Sequence, residues 1–161
     1  MKVNTTRFGE LEIDSSKIIH FFKGLPGFEE LRRFIIIPVE DTNDIHWLQS
    51  MELPEIAFMV IDPFKFIHGY ACNIPDPDIA ELELKTPEEA LILTTITIPQ
   101  GNPAKTTTNL VAPIVINTRL NRAKQVIMSG SPYKTKHLLF QVDHNQGSKT
   151  SMKKVSGGEG K

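Results

Sequence analysis

The chain has 161 residues, 40% hydrophobic and 23% charged, with a formal net charge of −1: one domain's worth of chain with enough apolar content for a core. Its single cysteine, Cys72, excludes an internal disulfide framework and a cysteine-based zinc site, and the apolar runs are too short to span a bilayer; Met1–Arg7 turns polar at once, so no secretory leader is expected. The near-neutral total conceals a split, because residues 1–99 hold 17 acidic and 8 basic side chains while residues 100–161 hold 2 and 10.

Apolar residues recur mainly with period two, in short runs bounded by Pro, Gly, Asn and Asp, which is the pattern of strands. The runs are Lys2–Arg7, Glu10–Asp14, Ile18–Phe22, Arg33–Val39, Ile45–Met51, Ile56–Ile61, Ala90–Ile98, Val111–Asn117 and Lys124–Met128. Phe8-Gly9 and Thr118–Arg122 read as tight hairpin connections. Helical signals are brief. Leu25–Leu31 suggests one turn, Pro77–Leu82 one or two with Asp76 as cap, and Thr86–Glu89 a capped start. Eleven prolines disfavour long helices. The expectation is a mainly β domain over 1–140, an antiparallel barrel or sandwich with a few short helical turns. Residues 141–161, rich in Gly, Ser, Lys and Asn, read as a disordered tail.

No catalytic pattern stands out. The histidines at 20, 46, 68, 137 and 144 share no metal-binding spacing, so no metal ligand and no cofactor is expected. Ser129-Gly130-Ser131 reads as a turn rather than a nucleophile. Gly24-Leu25-Pro26-Gly27 lacks the GK[ST] ending of a phosphate loop. The paired carboxylates crowd onto one polar segment and read as solvated rather than tuned for acid–base work.

A barrel of this size could bind oligonucleotides, which is the alternative reading. Such surfaces interleave basic with aromatic side chains, because bases stack while phosphates need countercharge. Here most aromatics lie in the acidic half and the basic half has only Tyr133 and Phe140, so direct RNA binding is disfavoured. Asp76, Asp78, Glu81, Glu83, Glu88 and Glu89, with Lys85 alone among them, form either a solvated face or a patch for a basic partner.

The string His20-Phe21-Phe22-Lys23-Gly24-Leu25-Pro26-Gly27-Phe28-Glu29 reads first as a rigid corner after a strand. It also closely resembles the F-x-K-G-[LI]-P-G-F-E signature of the flagellar assembly factor FliW family. Trp47–Ser50, Ala57–Phe64, Thr107–Asn117, Lys124–Ile127 and Tyr133 follow in that family's order, so the resemblance covers roughly Val3 to Phe140. It implies a compact, monomeric, cytoplasmic barrel that is no enzyme and acts neither on membranes nor on nucleic acid directly. It further implies a chaperone-like hold on flagellin, in an apolar groove accepting an amphipathic helix. The same protein would sequester the translational repressor CsrA, relieving repression of flagellin translation. Lys23, Gly24, Pro26, Gly27, Phe28, Asn109, Pro113 and Asn117 match motif positions and serve either fold or contact. Pro113, within a predicted strand, suggests an edge or bulge where a partner segment could add. Charge alone assigns the CsrA-facing surface to the six acids from Asp76 to Glu89.

Overall fold

The structure, a computed structural model, describes residues 1–40, 42, 44–142 and 152–154. Seven strands close a barrel: β3 (Ile19–Phe21), β4 (Arg33–Pro38), β5 (Ile45–Ser50), β6 (Ala57–Ile61), β7 (Ala90–Thr97), β9 (Ile114–Asn117) and β10 (Arg122–Gln125). Each is paired antiparallel to the next, except that β10 returns to β3 in parallel, with Arg122 opposite His20 and Ala123 opposite Phe21. The expected antiparallel barrel is present, with this one parallel seam. An odd number of strands cannot alternate direction all the way round a closed ring, so one pairing must be parallel.

Every barrel strand sends side chains inward. Phe21, Phe34, Leu48, Val60, Leu93, Ile114, Ile116 and Ala123 meet there, nearly all without solvent contact. Phe21 stacks edge-on against Phe34 at 5.0 Å between centroids, and Phe34 leads through Phe58 to Phe28. β7 and β9 are buried on both faces. Leu91 and Leu93 point inward, while Ile92, Ile96 and Val115 form an outer layer with Phe66, Ile67 and Leu82. Two covered faces explain why Ala90–Ile98 is almost continuously apolar or β-branched.

That outer layer is supplied by α1 (Pro63–Phe66) and α2 (Asp76–Leu82). The sequence reading missed α1, which starts at Asp62 accepting from the Phe64 amide, with Pro63 at the first position. α2 begins one residue earlier than expected. Pro75 rather than Asp76 occupies its cap position, and no side chain caps it. Thr86 likewise makes no side-chain cap bond to the 3-10 turn Pro87–Glu89. Leu25–Leu31 forms tight turns rather than a helical turn. Among the described residues no helix is long and apolar enough to cross a membrane.

β1 (Lys2–Thr5) and β2 (Gly9–Glu12) make a separate hairpin whose Gly9, at φ +69°, ends the tight connection expected there. Short β8 (Thr107–Thr108) pairs with the far end of β7, and β11 (His137–Leu138) pairs with β8. β12 (Phe140–Val142) pairs with β13 (Met152–Lys154), so the expected boundary at 140/141 falls inside a strand. The remainder of the expected tail, 143–151 and 155–161, lies outside the described residues.

Candidate functional site

The glycine-rich corner follows β3 directly. Gly24, at φ +67°, donates to the Phe21 carbonyl, and the Leu25 carbonyl accepts from the Phe28 amide at 2.7 Å. A Cβ on Gly24 would lie 2.5 Å from both Cα and O of Glu29, so only glycine fits this close approach. Arg32 locks the corner from outside by donating to the carbonyls of Glu29 and Phe22. Leu25 is buried and Phe28 packs edge-on against Phe58, while Pro26 and Gly27 face solvent. Most of the motif is therefore a corner that closes one end of the barrel.

Lys23, the remaining motif position in this corner, reaches α2. Its ammonium donates to Glu81 at 2.9 Å, and Lys124 donates to Asp78 and, at 2.6 Å, to Glu81. Arg122 lies over the Phe22 ring at 3.8 Å and pairs with Glu83, and Arg119 pairs with Glu89 at 2.8 Å. The acidic segment and the basic late strands thus meet each other in an ionic clasp. Four of the six acids assigned to a partner, Asp78, Glu81, Glu83 and Glu89, are occupied within the chain. That corrects the picture of an unbalanced acidic face, because strands that lack acids supply the opposite charges. Among the described residues Asp76 and Glu88 form no ion pair, and both are exposed.

Lys124 is almost enclosed. Burial alone would lower its pKa, but the hydrogen bonds to Asp78 and Glu81 prevail and raise it. The same bonds, from Lys124 first and then Lys23, hold the Glu81 carboxyl down to about 2 against an ordinary 4.5. A depressed folded value means that the contribution of Glu81 is complete above about pH 4.5 and is lost as pH falls toward 2. Urea midpoints of the wild type should drop across that window. Glu81→Gln should start lower at pH 7 and decline less; parallel declines would exclude Glu81 as the titrating group.

The clasp rests on Asn117, fully buried at the end of β9. Its Nδ2 donates to the carbonyls of Leu82 and Glu83 at 2.9 and 3.1 Å, and its Oδ1 accepts from the Arg119 and Leu120 amides. Glu83 closes α2 in the left-handed region, at φ 56°, a costly conformation for a residue with a Cβ. Asn109 plays a similar local part, its Oδ1 accepting from the Val111 and Ala112 amides. Pro113 sits just before β9 rather than within a strand, a correction to the sequence reading. It marks where the partner of β7 changes from β9 to β8, and its carbonyl accepts from Val126. Asn109 and Asn117 therefore have fold roles that account for their side-chain hydrogen bonds.

The barrel mouth beside the corner is a different surface. A cleft of about 410 Å³ opens there between the corner, the start of β6 and the end of β7. Its walls mix apolar side chains with Thr95, Thr97, Gln125 and backbone, so that polar and apolar surface line it about equally, together with Arg7, whose guanidinium lies over the Trp47 ring at 4.2 Å. The sequence reading did not single out Arg7. Its position in a hairpin tip gave no sign that the tip would lean on β5.

A closed seven-strand barrel with a helical clasp on its wall and a cleft at its mouth defines a β-barrel protein. The model of the FliW protein family matches residues 2–139, a span that contains the whole barrel. The chain belongs to the FliW family of flagellar assembly factors. It is 43% identical over 141 residues to the flagellar assembly factor FliW of Moorella thermoacetica, covering 88% of this chain and 89% of that one. It is 45% identical over 146 residues to the FliW of Thermosipho africanus, covering 91% of this chain and all of the other. A crystal structure of the flagellar assembly factor FliW superimposes with a TM-score of 0.82 at 33% identity, over 88% of this chain and 98% of that one.

Proposed function

We propose that this flagellar assembly factor works by binding and not by catalysis. In the cytoplasm it holds flagellin in the manner of a chaperone and sequesters the repressor CsrA, so that flagellin translation is released. Newly made flagellin then competes for the same protein. The activity is a difference between two affinities, with no bond made or broken. The observation that supports this reading is family membership along almost the whole folded chain. The clasp favours a protein partner over RNA, because Arg119, Arg122 and Lys124 are paired with carboxylates within the chain and so are not free for phosphates. A basic partner such as CsrA would approach the outside of the clasp at Asp76 and Glu88, the two carboxylates of that segment without an ion pair among the described residues.

Size-exclusion binding with purified flagellin and purified CsrA, beside a gel shift with the flagellin leader RNA, tests the reading. Complexes with both proteins and no RNA shift are expected. An RNA shift that weakens steeply with salt would instead mark an oligonucleotide-binding barrel.

A further inference from the structure

The walls of the barrel mouth are two strands that stop pairing with each other, while β6 stays paired with β5 and the end of β7 with β8 on their far edges. β6 and β7 are in register only at Ile61 opposite Thr94 and Val60 opposite Thr95. β6 nevertheless extends back to Ala57 and β7 on to Thr97, and the cleft occupies the gap between these ends. Strand ends that diverge around a cleft offer backbone groups to an added strand, with apolar pockets between them. Phe58 and Met59 line one side and Ile96 and Ile98 the other, and Ile98 is 43% exposed. Arg7 is the single charged side chain lining the cleft, and among the described residues it has no ion pair. Held over the Trp47 indole, its guanidinium keeps donors free for a carboxylate.

We infer that the mouth is a docking site for an extended segment of another polypeptide, laid between β6 and β7, with apolar side chains at alternate positions and a carboxylate on Arg7. The charge is opposite to that of the clasp, where exposed carboxylates await a basic partner. The two surfaces therefore select different partner segments and lie on different parts of the barrel. An apolar helix could fill the volume but would leave the facing edges of the diverging strand ends without an added strand.

Trp47 is the only tryptophan in the chain, so its fluorescence reports directly on the cleft. The probe is a blocked seven-residue peptide of alternating valine and threonine with one central glutamate, titrated into the full chain. Saturable quenching or shift of the emission is expected. Replacing the glutamate by lysine should weaken binding at least tenfold, and methylating alternate backbone nitrogens should abolish it. In Arg7→Glu the preference between the two peptides should reverse. Absence of a saturable change, equal affinity for both charges, or undiminished binding of the methylated peptide would each overturn the inference. Binding of flagellin and CsrA, measured on the same preparations, separates the two readings: complexes that form while the peptide fails leave the proposed function standing and remove only this site.

Discussion

Gly24→Ala is expected to destabilise the protein by about 3 kcal/mol or more, from strain and a forced backbone shift together. The left-handed φ of +67° is costly for alanine by itself. The added Cβ would also meet Cα and O of Glu29 at 2.5 Å, and these are backbone atoms that cannot swing away. Gly27 supplies the control. Its φ is +85°, but a Cβ there meets nothing within 4 Å, so Gly27→Ala should cost only about 1 kcal/mol. Urea unfolding of the two variants side by side reads the difference. Equal costs would mean that torsion alone, and not the approach of Glu29, fixes glycine at position 24. Because the corner carries Phe28 onto Phe58, Gly24→Ala should also disturb Trp47 emission at the mouth before global unfolding.

Asn117→Ala should be nearly as damaging, by about 3 kcal/mol, since it strands several backbone groups at a buried position. The carbonyls of Leu82 and Glu83 and the amides of Arg119 and Leu120 all use this one side chain. Asn117→Asp keeps the acceptor for the two amides but turns a buried negative charge toward two carbonyls, so it should not rescue the variant. Hydrogen exchange provides the more specific reading. The amides of Glu83 and Leu84, bonded to the carbonyls of Ala80 and Ile79, should lose protection well before those of β4 and β5. A loss below 1 kcal/mol with α2 still protected would show that the ion pairs hold the clasp without Asn117.

The strands were legible because period-two alternation records burial faithfully. Leu91 and Leu93 against Ile92 and Ile96 divide between the inside and the outer layer just as alternate residues of a strand must. All nine expected strands exist, most of them trimmed at their ends, while β2 starts one residue earlier than expected and β10 two, at Arg122. Those trims arise where the chain leaves the ladder while still buried, as at Val126 and Met128, whose amides bond to Pro113 and Val111. The parallel seam between β3 and β10 was not legible, because it follows from the number of strands in the ring and no local residue encodes it. β8 and β11, at two residues each, are too short to show a period.

The charge split was visible in the sequence, but its meaning was not. Acids from Asp76 to Glu89 and bases from Arg119 to Lys124 are far apart along the chain. Only the placement of α2 over β10 makes them partners. Counting charges thus overstated the acidic surface left for other molecules. The glycine-rich corner was recognised as both motif and rigid turn, and Gly24 shows why the two coincide. Arg7 at the mouth escaped notice because its neighbour Trp47 comes from another hairpin altogether.

Under the proposed function this protein passes between two protein partners, and a single titration follows that exchange. CsrA bound to labelled flagellin leader RNA is titrated with the full chain while RNA anisotropy is followed, and purified flagellin is then added. Release of the RNA on titration, and its recapture by CsrA once flagellin is added, is the expected result. RNA that stays on CsrA at saturating concentrations of the chain, or that transfers to the chain itself, would contradict the account.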